Sequence, residues 1–257
     1  FVFLGPDWDD ELAEAYTGGA ASNLLQTRGL AALVGSGVYQ GGPLRDLINH
    51  YIDDRVLQAV AAEAAKGRML LVATTDLDSQ RGVVWDMGAI AQKGGPEALA
   101  LFRMVLIASA SMPGAFPPVL IPSEDGSFRF EEMHVDGGVS TPFLVLPETF
   151  WSFRDATGAL RGGRIHVIIN GRTGPSFKIT KNSLVQVLSH SLDIMQRTSI
   201  GTTLAGNRVF AERNGLEFRY AALPGDSVAD PLDFSVEAMQ GVYEVGRAGA
   251  LDGTIWR

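Results

Sequence analysis

The six residues Met69–Thr74, reading MLLVAT, constrain the fold more than any other stretch. They are nearly all apolar and lie between turn signals. Such a run predicts a buried strand of a parallel sheet. A helix precedes it: Leu44, Leu47, Ile48, Tyr51, Ile52, Val56 and Leu57 recur at three- and four-residue spacing over Pro43–Lys66. Gly67 then stands where a helix ends. Further strands are expected at Gly82–Trp85, in the run ending at Val135, at Arg164–Asn170 and at Glu217–Ala222. Asp125-Gly126 marks a hairpin turn.

Phe1–Leu4 reads as the end of a buried helix or strand. Asp7 or Asp9 can cap the acidic helix that follows, which ends at Gly18-Gly19. Pro96 opens a strongly apolar helix through Ala110. Asn182–Asn214 is helical with a break expected near Gly201 or Gly206, and Phe234–Leu251 is a last helix. Strands alternating with helices predict an α/β fold with a mainly parallel sheet. With no repeat and no linker in evidence, residues 1–257 read as a single domain.

The chain has no cysteine, which excludes disulfides, thiolate catalysis and cysteine-based zinc sites. Its four histidines are scattered, without metal-ligand spacing, and no metal site is expected. A net charge of −8 leaves no basic footprint for nucleic acid and argues against long-range attraction to anionic lipid. No apolar run reaches the ~18 residues needed to span a bilayer. Transient contact with a membrane or micelle surface through apolar side chains stays open. The opening FVFLGPDW reads as an apolar run cut at its start, so the sequence is expected to be a piece of a longer or processed chain.

The chemistry-bearing candidates are few. Met133–Pro142 reads MHVDGGVSTP. Asp136 follows the last apolar residue of a strand, at the sheet mouth where α/β proteins place ligands. Gly137 and Gly138 carry no Cβ to crowd a substrate, and they permit positive φ. The same letters also suit an ordinary Asp-Gly turn. Asp76 and Asp78 are expected to cap a turn, since an EF-hand needs ligands that are absent here. Ser109 and Ser111 sit at a helix end where small residues favour packing. Ser189, His190 and Asp193 include triad residue types, but neighbours on one helix point apart. Gly35–Gly42 lacks the spacing of a phosphate loop and reads as a surface loop or a pocket rim. His166, alternating with apolar neighbours, reads as structural.

Three blocks taken together resemble the patatin-like phospholipase family: Arg68–Ala91, SASMPGAFPPV at Ser109–Val119, and HVDGGVSTP at His134–Pro142. Their order and spacing fit over most of the chain. The resemblance implies a three-layer α/β/α fold and a serine–aspartate dyad that hydrolyses acyl esters, with no metal or organic cofactor. It implies Asp136 as the catalytic aspartate, with Gly137 and Gly138 at the substrate. The implied partner is an acyl-ester lipid or a short-chain ester. The family's GxSxG elbow and glycine-rich oxyanion loop have no counterpart here, because no serine has glycine both two before and two after it. Both are expected upstream of Phe1, so these residues alone are expected to be inactive. The alternative is a non-catalytic lipid-binding or interaction module of the same fold.

Overall fold

The computed structural model describes residues 1–26, 37–143, 155, 157–170, 173–174, 179–180, 182–223 and 233–257. The chain is α/β and divides into two compact units. The first comprises Phe1–Thr141 with Phe234–Val236, and the second comprises the remainder.

In the first unit, α1 (Asp9–Thr17), α2 (Gly41–Tyr51) and α3 (Asp54–Ala65) precede strands β1 (Leu71–Asp76) and β2 (Arg81–Asp86). Next come α4 (Met87–Lys93), α5 (Gly95–Ser109), β3 (Val119–Asp125) and β4 (Phe128–Asp136). The sheet order is β2-β1-β4-β3, and every pairing is antiparallel. This corrects the parallel sheet expected from the sequence. Two of the three pairings are hairpins, and a connection of a few residues cannot return a chain to a parallel neighbour. β1 is also not buried along its length. Its apolar start is open, with Leu71 40% exposed, whereas Thr74, Thr75 and Asp76 are buried. The reason is register: β4 covers β1 only at Thr74–Asp76.

The core joins Val56, Leu57 and Val60 of α3 to Met87 and Ile90 of α4, Phe102 and Val105 of α5, and Ile121 of β3. The expected Pro43–Lys66 helix is two helices. Asp53 separates them by capping α3, its Oδ1 accepting from Val56 N–H at 2.9 Å. Phe1–Leu4 contains a 3-10 turn at Val2–Leu4 with no buried residue. Neither Asp7 nor Asp9 caps α1, whose N-cap position is Trp8.

The second unit pairs β5 (Arg164–Ile169) with β6 (Glu217–Ala222) in parallel, joined through the long α6 (Leu184–Asn214), and holds α7 (Val236–Leu251) from Glu237 onward. The break expected near Gly201 or Gly206 does not occur; α6 runs unbroken from its Ser183 cap to Gly215. His166 is exposed and its ring lies against Trp256, centroids 5.1 Å apart. Among the described residues, no helix is long and apolar enough to cross a membrane.

Candidate active site

Asp136 is the last residue of β4, directly opposite Thr74 of β1. A single 3-10 turn, Gly137–Val139, follows it. The Asp136 N–H donates to the carbonyl of Ser111 at 3.0 Å, which ties the strand end to the segment leaving α5. Its Oδ1 accepts from Gly138 N–H at 2.6 Å. Among the described residues Oδ2 accepts no hydrogen bond. The carboxyl group is half-buried. Burial pushes its pKa above the ordinary value, and the Gly138 N–H pulls it part of the way back.

The glycines do not serve the turn through positive φ, as the sequence allowed; both lie in the right-handed 3-10 turn. Gly137 is required by close approach. A Cβ there would stand 2.5 Å from the carbonyl oxygen of Ala73 and 2.7 Å from its carbon.

A buried polar chain runs behind this turn. Trp85 Nε1 donates to Thr74 Oγ1 at 2.8 Å, and Thr74 Oγ1 lies 2.9 Å from Nδ1 of the fully buried His134. Because Thr74 accepts from Trp85, its own hydrogen is available for His134 Nδ1. Nε2 lies 3.4 Å from Glu132 Oε2, which accepts from Ser123 Oγ at 2.8 Å. Thr74→Val keeps the shape but leaves the Trp85 and His134 nitrogens without their partner. It should cost about 1–3 kcal/mol in urea unfolding; an unchanged midpoint at unchanged slope would refute this account of the chain.

Asp76 caps a turn, as expected, whereas the Asp78 carboxylate reaches across to β4 instead. Asp76 accepts from the N–H groups of Asp78 and Ser79 and from the Ser79 hydroxyl. Burial would raise its carboxyl group. The Ser79 hydroxyl, the two N–H groups and the facing His134 outweigh burial and hold it below the ordinary value. Asp78 Oδ2 accepts from Met133 N–H at 2.9 Å, which pins this turn to β4. Among the described residues no cluster of metal-ligating side chains occurs. Ser111 is 1% exposed and donates to Ile107 O, so it packs the helix end. His190 and Asp193 face separate partners, Thr180 and Arg197. The described part of the glycine-rich segment pairs with the block after α5, Val38 and Tyr39 N–H donating to the carbonyls of Gly114 and Ala115. Gly35 and Ser36 lie outside the described residues.

A family model described as Patatin-like phospholipase matches residues 6–147, more than half of the chain. The chain belongs to the patatin-like phospholipase family. The match takes in all four strands of the antiparallel sheet, and with them Asp136 and its turn. The family is one of lipid acyl hydrolases, and its substrates are lipids. No curated protein matches the chain. What the sequence missed in this patatin-like site is its support: Thr75, Ser140 and the Ser111 carbonyl. A threonine at a strand end and a serine in a turn look alike with or without a shared hydrogen bond, so only the β1–β4 register reveals them.

Proposed function

We propose that the protein is a lipolytic acyl hydrolase of the esterase or phospholipase A type, in which Asp136 serves as the base of a serine–aspartate dyad. On this reading residues 1–257 belong to one three-layer α/β/α domain. The nucleophilic serine and oxyanion donors come from polypeptide outside these residues, since none of their serines has a GxSxG setting. The observation that carries the reading is Asp136 itself. It is a half-buried carboxylate at a strand end, with one oxygen fixed by Gly138 N–H and a pKa raised by burial.

Those properties suit the chemistry. A free aspartate, with pKa about 3.9, is too weak a base to draw a proton from serine readily. Burial strengthens it, while Gly138 N–H fixes Oδ1 and leaves Oδ2 to take the proton. In the first half-reaction the serine oxygen bonds to the ester carbonyl carbon as its proton passes to Asp136. The tetrahedral oxyanion then collapses, the ester C–O bond breaks, and the departing alcohol receives that proton. In the second half-reaction water attacks the acyl-serine, Asp136 accepts a proton from the water, and the serine recovers it as the acid leaves. Gly138 flanks the carboxylate without a side chain and lets the ester approach, whereas the bare Cα of Gly137 makes room for Ala73 of β1.

The test is a fluorophosphonate probe applied to the full-length protein. The expected result is covalent labelling of one serine outside residues 1–257, together with turnover of a short acyl ester. Binding of lipid vesicles with no labelling and no turnover would refute the hydrolase reading and leave a lipid-binding module.

A further inference from the structure

The geometry points to Thr75 as a positioning residue that, with Gly82, seats the turn carrying Asp136; the inference rests on the dyad reading above. Thr75 is 5% exposed. Its Oγ1 lies 3.0 Å from the carbonyl oxygen of Asp136 and 2.8 Å from Ser140 Oγ. A carbonyl oxygen can only accept, so Thr75 gives its single hydrogen to Asp136 O and accepts the hydrogen of Ser140. The turn is closed on itself as well, with Ser140 and Thr141 N–H both donating to Gly137 O at 3.1 and 2.8 Å. One hydroxyl on β1 thus clasps both ends of the segment Asp136–Ser140.

Gly82 completes the seat. In the β1–β2 hairpin it stands directly opposite Thr75, and Thr75 faces Val135 across the other edge of β1. A Cβ on residue 82 would lie 2.9 Å from Ser140 Oγ and 3.4 Å from Thr141 Oγ1. The missing side chain leaves room for the Ser140 hydroxyl to reach Thr75. The backbone of Asp136 is therefore fixed at three points: its N–H on Ser111 O, its carbonyl on Thr75, and the downstream turn on Thr75 through Ser140. That fixes the Oδ1–Gly138 contact, and with it where the second carboxylate oxygen stands.

The experiment compares Thr75→Val, Thr75→Ser, Ser140→Ala, Gly82→Ala and Asp136→Asn in the full-length protein. It reads kcat and KM on a short acyl ester against pH, with circular dichroism as a check on folding. Thr75→Val should lower kcat about tenfold or more with KM little changed, since small misplacements of a reacting group are costly. Its acid limb should move to higher pH, because a loosened turn weakens the Gly138 N–H bond that holds the carboxyl down. Thr75→Ser, which keeps the hydroxyl, should restore most of the rate. Ser140→Ala should give a smaller loss, and adding Gly82→Ala to it should cost less than Gly82→Ala alone, because the obstructed hydroxyl is gone. A wild-type kcat and acid limb in Thr75→Val, beside an inactive Asp136→Asn, would overturn the inference alone, as would a Thr75→Ser no better than Thr75→Val. An active Asp136→Asn would overturn the dyad reading and this inference with it. Should Thr75→Val fail to fold, Ser140→Ala at its exposed position decides, and an unaltered kcat and acid limb there overturns the proposal.

Discussion

Asp136→Asn in the full-length protein should abolish ester turnover and at the same time raise thermal stability at neutral pH. The first effect follows from the proposed role. A general base is worth about 10²–10⁴ in rate, and the amide of asparagine cannot take the serine proton. The second follows from burial, which raises the carboxyl pKa in the folded state above its unfolded value. Between those two values the folded protein binds the proton more tightly than the unfolded chain does. The associated stability is fully present below the unfolded pKa and is lost as pH rises through the folded one. Asparagine stays neutral at every pH, and its side-chain oxygen can still accept from Gly138 N–H. Its melting temperature should therefore exceed that of the wild type at neutral pH, and the gap should close on acidification into the ordinary aspartate range. A gain in stability coupled to a loss of activity marks a residue kept for function. Near-wild-type turnover would remove Asp136 from the mechanism, whatever the melting curves showed.

Gly137→Ala should damage both fold and activity, by a different route. The added Cβ would meet the Ala73 carbonyl oxygen at 2.5 Å, its carbon at 2.7 Å and the Ala73 Cβ at 2.9 Å. Two of these atoms are backbone of β1, so no side chain can rotate away. Either β1 and β4 part at Thr74 and Asp136, or the turn lifts. Forcing a methyl group into such a contact typically costs about 1–3 kcal/mol. Turnover should fall as well, since the lifted turn carries the carboxylate. Urea unfolding checks the first effect and ester hydrolysis the second. An alanine variant with a wild-type midpoint would mean that the contact relaxes without cost.

Much of the site was legible before the fold was known, and much of its support was not. Asp136 could be picked out as the candidate, and its place at a strand end read, because a carboxylate ending an apolar run, followed by two glycines, is written in consecutive residues. The turn-capping role of Asp76 could be read for the same reason, whereas the reach of Asp78 to Met133 of β4 could not. Strand direction could not be found that way. MLLVAT is apolar enough for a parallel sheet, but its neighbours are set by the short connections to β2 and within the β3–β4 hairpin. The closely following strand at Gly82–Trp85 was the signal of a hairpin. Asp53 was hidden because Tyr51, Ile52 and Val56 kept a helical rhythm across it, although its side chain caps α3. At Gly201 and Gly206 the opposite happened: glycines costing about 1 kcal/mol each did not break α6. Thr75, 61 positions from Asp136 in the chain, belongs to the site only through the β1–β4 register.

The bond from Asp136 N–H to the Ser111 carbonyl has a consequence for recombination. It splices two separate sequence blocks, SASMPGAFPPV and HVDGGVSTP, into one mechanical joint. Both partners are main-chain groups, so what a crossover in the β3–β4 hairpin would draw from different parents is the joint's side-chain support: Ser111 Oγ on Ile107 O and the Thr75 hydroxyl from one, the turn that Thr75 holds at Asp136 O from the other. Chimeras between relatives should therefore inherit Ser109–Pro142 as an indivisible cassette, with β1 and its Thr75 clasp travelling alongside.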